Sequence, residues 1–243
     1  MPTKKNKPTL RLVHLYPEQM NIYGDWGNVL TLLKRAEWHG YHVEVVAYNP
    51  AEKFPSEVDL VIGGGGQDSG QSVIQDDLLR IGPNLQKLAD DKVPMLMICG
   101  LYQLFGHFFQ TKEGKRIQGI GLFDLETYAG DVRMIGNIVT MTELGEVMGY
   151  ENHSGMTLLG AKQKAFGTVI KGAGNNGKDK TEGAIYKNVY GSYLHGSLLP
   201  KNPLLADALI EIAATRRYGS FEPQIVDDRF AELAREVARS RPR

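Results

Sequence analysis

The only cysteine of this 243-residue chain, Cys99, lies between the apolar run 94–98 and Gly100, ahead of an aromatic-rich helical pattern. A thiol at the end of a buried strand, with a helix starting behind it, meets unpaired backbone N–H groups and a partial positive charge. Both favour the nucleophilic thiolate. The arrangement is the cysteine counterpart of a strand–nucleophile–helix elbow. A free cysteine is more often a small buried hydrophobe, so the assignment needs a second group. His195, in "GSYLHGS", ends a strand-like run and supplies the imidazole that activates a thiol near neutral pH. His153, in "GYENHSG", reads as part of a polar turn beside Glu151 and Asn152 and is the second candidate base. His14, His39, His42 and His107 read as structural or exposed. The glycine run 63–66 follows the apolar "DLVI". Consecutive glycines let backbone amides approach a substrate and face an oxyanion. The run lacks the third glycine of a dinucleotide fingerprint.

These groups need a sheet to bring them together. Strands are predicted at 9–14, 42–48, 59–63 and 94–99, and helices at 26–39, 71–90 (interrupted near Gly82-Pro83) and 101–110. Short apolar strands alternating with helices imply βαβ units and a parallel sheet covered on both faces, whose carboxyl edge receives ligands. After about residue 117 the pattern becomes short strands with glycine turns, followed by helices at 203–215 and 228–240. The last of these is expected to pack on its own domain. Residues 1–8 read as a basic tail and 9–243 as one α/β domain.

Composition narrows the function. With 28 basic and 28 acidic residues the net charge is zero. Nothing in that balance points to nucleic acid or an anionic membrane. A lone cysteine excludes an internal disulfide framework and suits a reducing cytoplasm. No apolar run is long enough to span a bilayer, and no zinc-ligand spacing is present. "GAGNNGKD", 172–179, approaches a phosphate-binding loop, but Asp179 replaces the hydroxyl residue that would hold magnesium; it reads as an exposed loop.

The order of these motifs — "GGGGQD", "ICGLYQLFG", then "GSYLHGSLLPKNP" — resembles class I glutamine amidotransferases, in the branch that includes the glutaminase parts of cobyric acid synthases. "LYPEQMNIYGDWGNVLTL" and "GYENHSG" extend the likeness to the glutaminase subunits of lipid II isoglutaminyl synthases. The resemblance implies an α/β domain with a mostly parallel central sheet, flanking helices and additional antiparallel strands. It implies attack by Cys99 on the side-chain amide of glutamine, with His195 as acid and base. Amides of Gly65 and Leu101 would face the oxyanion, and Gln103 and Arg133 would hold the α-amino and α-carboxylate ends. It further implies no cofactor in this chain, with ATP and magnesium on a Mur-ligase-like partner subunit, MurT, that amidates the D-glutamate of the lipid II stem peptide. Another amidating synthetase as partner, or a non-catalytic oxidant sensor built on the same elbow, are the alternatives. Two departures stand out. The His-x-Glu of class I enzymes is absent, because Gly196-Ser197 follows His195. Met97 and Leu101 occupy elbow flanks that are usually glycine. Glu151, another acid of the chain or a partner's carboxylate would then orient His195, unless a Cys–His dyad suffices.

Overall fold

A computed structural model describes residues 7–195 and 197–241; most of the basic tail, and Gly196, lie outside the described residues. The first half builds a layered α/β unit: β1 (Thr9–Leu15), α1 (Trp26–Trp38), β2 (His42–Tyr48), β3 (Leu60–Gly63), α2 (Asp68–Asp90), β4 (Met95–Ile98) and α3 (Gly100–Leu104). A second sheet follows, with β5 (Phe108–Gln110), β6 (Arg116–Gln118), the long hairpin β7 (Leu125–Thr142) and β8 (Gly145–Leu159), β9 (Gly167–Lys171) and β10 (Thr181–Glu182). The chain then returns to the first sheet through β11 (Ala184–Tyr186) and β12 (Val189–Ser192), and ends in α4 (Pro203–Tyr218) and α5 (Arg229–Ser240). The first sheet has the order β11-β12-β4-β3-β1-β2 and is parallel except for edge strand β11. β3 and β4 are buried at every position, as expected of strands covered on both faces.

Three expectations change. α2 runs unbroken through Pro83, and Gly82 lets it press on Ile120: a Cβ there would lie 3.1 Å from the Ile120 side chain. The helix expected over 101–110 stops at Leu104, and Phe108–Gln110 is strand β5. Gly106 forces the change, since a Cβ at that position would stand 2.1 Å from Leu125. The segment around His153 is not a turn but part of β8, paired with Met134 of β7. α5 does pack on its own domain as expected, against β7 and β8, although it buries none of its residues. Arg235 ties it down through the carbonyls of Lys201 and Glu146, while Phe230, Leu233 and Val237 remain exposed.

His14 is fully buried on β1, and neither ring nitrogen has a hydrogen-bond partner among the described residues. Burial lowers its pKa to about 4. Below pH 6.5 the unfolded chain therefore takes up a proton at this residue that the folded chain refuses, and the His14 contribution to stability falls as the pH drops from 6.5 toward 4. The loss should reach about 2 kcal/mol by pH 5. Urea midpoints of wild type and His14→Leu at pH 7 and pH 5 isolate it as the difference between the two proteins, since His195 adds a loss of the same sign while Asp25 and Glu182 oppose it.

Candidate active site

The elbow forms where β4 ends. Cys99 has φ 49° and ψ −104°, a conformation that costs a non-glycine residue about 1–3 kcal/mol. Two hydrogen bonds hold it: its N–H donates to Ser192 O on β12 at 2.8 Å, and its carbonyl accepts the N–H of Gln103 at 3.0 Å, starting α3. The large flanks Met97 and Leu101 fit because the space is taken from the neighbouring strand. A Cβ on Gly63 would meet Leu101 at 2.3 Å and Met97 at 2.9 Å.

The whole glycine run has such reasons. Gly64 lies under the Met20 carbonyl and Asp25, and Gly66 under Met20. Gly65 is the floor of the site. A Cβ there would stand 3.0 Å from Cε1 of His195, 3.1 Å from Cβ of Cys99 and 3.3 Å from the ring of Tyr23. The imidazole and the cysteine therefore flank a single point above Gly65, although they are far apart in the chain.

His195 reaches this point because β12 lies beside β4 and because His195 exchanges backbone hydrogen bonds with Tyr150 of β8, at 2.8 and 3.2 Å. Just before it, the N–H of Tyr193 donates to the buried Glu182 carboxyl at 2.7 Å. Tyr23 covers the His195 ring at a centroid distance of 4.4 Å. His195 is 1 % exposed, and its ring nitrogens have no hydrogen-bond partner among the described residues. Glu151 is turned elsewhere: its carboxylate accepts the N–H groups of Ala173 and Gly174 at 2.8–3.1 Å. Those contacts bury residues 173–176, so the first half of the glycine-rich 172–179 loop is interior rather than exposed.

The electrostatics differ from the expectation of a resting thiolate. Burial pushes the Cys99 thiol well above its ordinary pKa. The nearby Asp25 charge adds to the rise, and the N–H of Gly100 only partly opposes it. Burial also lowers His195 to about 3, with His153 and Arg133 contributing. The resting pair is thus neutral thiol and neutral imidazole. A five-residue helix does not outweigh desolvation.

A cavity of about 410 Å³ opens beside the sulfur, lined among others by Cys99, Gln103, Arg133, Asn152 and His153. Arg133 stands at the irregularity in the β7–β8 pairing between Ala129 and Met134. Its guanidinium donates to Asn152 Oδ1 at 2.7 Å and to the Tyr23 hydroxyl at 3.1 Å. Gln103 accepts from Gln71 at 2.8 Å and donates to the Tyr193 hydroxyl at 3.0 Å. His153 forms part of the wall: its ring stacks on Tyr193 at 3.6 Å, and Nδ1 donates to Gly155 O at 3.0 Å. The N–H of Gly100 favours the Cys99 thiolate. One detail bears on the expected oxyanion donors. The N–H of Gly65 donates to Asp25 Oδ2 at 2.7 Å. Tyr23, Asp25, Gln71 and Tyr193 carried no separate chemical signal in the sequence; Tyr23 and Asp25 lie in the quoted "NIYGDW" stretch.

Residues 11–203 match the CobB/CobQ-like glutamine amidotransferase domain. The chain belongs to this glutamine amidotransferase family. It is similar to the GatD subunit of the glutamine-hydrolysing lipid II isoglutaminyl synthase of Staphylococcus aureus (strain N315), with 37 % identity covering 94 % of each chain. Similarity to the GatD subunit of Streptococcus pneumoniae (strain ATCC BAA-255 / R6) is 40 % identity over 86 % of this chain and 82 % of that one. A solved glutamine amidotransferase shares the fold, with a TM-score of 0.59 at 15 % identity, covering 83 % of this chain and 98 % of that one. In this amidotransferase, no helix among the described residues is long and apolar enough to cross a membrane.

Proposed function

We propose that this chain is the glutaminase subunit of a lipid II isoglutaminyl synthase and that Cys99 and His195 carry the hydrolysis. The observation that carries this reading is the convergence of Cys99 Cβ and His195 Cε1 on one point above Gly65, next to a cavity lined by Cys99 and Arg133.

As the Cys99 sulfur attacks the γ-amide carbon of glutamine, neutral His195 takes the thiol proton. The carbonyl oxygen gains negative charge and is met by backbone N–H groups of the elbow and the glycine loop. One such donor is worth about 3 kcal/mol in other enzymes. His195 returns the proton to the leaving nitrogen, and ammonia departs. Water activated by the same imidazole then hydrolyses the γ-glutamyl thioester to glutamate. Arg133 holds the α-carboxylate, and Gln103 fixes the cavity wall on the α-amino side.

The ammonia has a use in an amidating partner. The relatives are named as subunits, and the partner that fits is the Mur-ligase-like MurT, which would hold ATP and magnesium and convert the stem-peptide D-glutamate to D-isoglutamine. His195 has no orienting carboxylate among the described residues, so the complex either adds one or works with the dyad. An oxidant sensor fits poorly, because sensor thiols are acidic and accessible, whereas Cys99 is 6 % exposed and its thiol is pushed up.

Labelling by 6-diazo-5-oxonorleucine at Cys99, blocked by glutamine, tests the site. Amidation of lipid II only with co-expressed partner, read by mass spectrometry of the stem peptide, tests the acceptor. Arg133→Ala should raise KM for glutamine about 10- to 100-fold with a smaller change in kcat, as for loss of a charged hydrogen bond. Arg133→Lys should fall between, since it keeps the charge and loses the planar fork.

A further inference from the structure

Asp25 is a buried carboxylate that the chemistry above does not use. It is 0 % exposed, and Oδ1 has no hydrogen-bond partner among the described residues. Oδ2 accepts the Gly65 N–H at 2.7 Å. Ile22, from the same loop, donates its N–H to the Gly65 carbonyl at 3.2 Å. Both polar groups of Gly65 therefore belong to the segment between β1 and α1. The carboxylate is also wedged: a Cβ on Gly64 would lie 2.8 Å from Asp25 and 2.2 Å from the Met20 carbonyl.

Two effects of this contact have the same sign. A backbone N–H has one proton to give, and a carboxylate is a strong acceptor, so the Gly65 amide is not available to a developing oxyanion while Asp25 holds it. The Asp25 charge also disfavours the Cys99 thiolate. Burial in turn pushes Asp25 itself up to about 6, with the Gly65 N–H opposing the rise. That shift marks a carboxylate held in its place at some cost.

We propose that Asp25 is a positioning residue that restrains the glycine loop, so that turnover requires the Gly65 peptide to leave Asp25 before its N–H can meet the oxyanion. Neither Asp25 nor Gly65 lines the substrate cavity, so glutamine binding does not itself depend on the release. This rests on the glutaminase reading of the site.

The test compares the full-length wild type with Asp25→Asn, which keeps the shape and removes the charge. Asp25→Ser serves if the first variant does not fold. Two readouts are taken on the isolated chain: kcat and KM for glutamine, and the rate of Cys99 alkylation by iodoacetamide, read by intact mass. The expected result is a kcat higher by about tenfold, the equivalent of one pKa unit on the thiol, with KM within about twofold of wild type and alkylation faster by a similar factor. A folded variant whose kcat is unchanged or lower overturns the proposal, because a merely structural carboxylate would give that result. Failure of both variants to fold overturns it as well. If neither wild type nor variant releases glutamate, the glutaminase reading has failed. Alkylation then decides for Asp25 alone: acceleration supports its hold on the site, and an unchanged rate overturns it.

Discussion

Cys99→Ala should abolish glutamate release, lowering kcat by at least about 10⁴-fold, while leaving the fold intact. The size follows from the role: without a nucleophile only the weaker contributions of binding and oxyanion stabilisation remain, as in other enzymes with covalent intermediates. Alanine keeps the backbone strain at φ 49°, because it also has a Cβ, and it removes one atom from a tight site. The thermal midpoint should therefore move by only a few degrees, corresponding to about 1 kcal/mol. A coupled glutamate assay and a thermal melt on the same sample check both parts. Turnover retained within tenfold of wild type would reject the thioester route. Labelling by the diazo-ketone should disappear in the same variant.

His195→Ala should lower kcat by at least about 10³-fold, whereas His153→Ala should act mainly on KM and stability. The difference comes from what each ring touches. His195 flanks the Gly65 floor together with Cys99. His153 is spent in the wall, with one face on Tyr193 and Nδ1 on a carbonyl. Loss of that stack removes about 0.5–1.5 kcal/mol beyond simple burial and loosens Tyr193, which holds Gln103. The two alanine variants, compared at matched folded fraction, separate the roles; a kcat loss confined to the His153 variant would reverse the assignment. The pH profile adds a second check. Burial holds His195 near 3, so it remains a competent neutral base well below pH 6.5. The acid limb of kcat/KM should not fall at the ordinary histidine pKa.

Several of these features were open to inspection in the primary structure. β3 and β4 were legible because runs such as "LVI" and "PMLMIC" are apolar throughout, the signature of a strand covered on both faces. Cys99 was legible because a strand end, a small residue and a helical pattern adjoin it. Other features were hidden for physical reasons. "HFFQ" continues an aromatic-rich segment and reads as helix, yet the Gly106 contact with Leu125 turns the chain into β5. His153 lies among residues that favour turns, yet pairing with the long β7 strand overrides that preference. The apolar stripe of α5 has the right period for a helix, but period alone does not say what covers the stripe.

The sequence by itself determined the alternation of elements, the placement of a lone thiol at a sheet edge and the glycine run near it, because those depend on neighbours within a few residues. Only the tertiary structure decided which histidine ring stands with Cys99 over Gly65, that Asp25 takes the Gly65 amide, and that burial disfavours the charged forms of both Cys99 and His195. Each of these depends on contacts between distant segments and on the exclusion of water they bring about. Burial shifts a thiol or an imidazole by an amount that no local pattern of residues encodes.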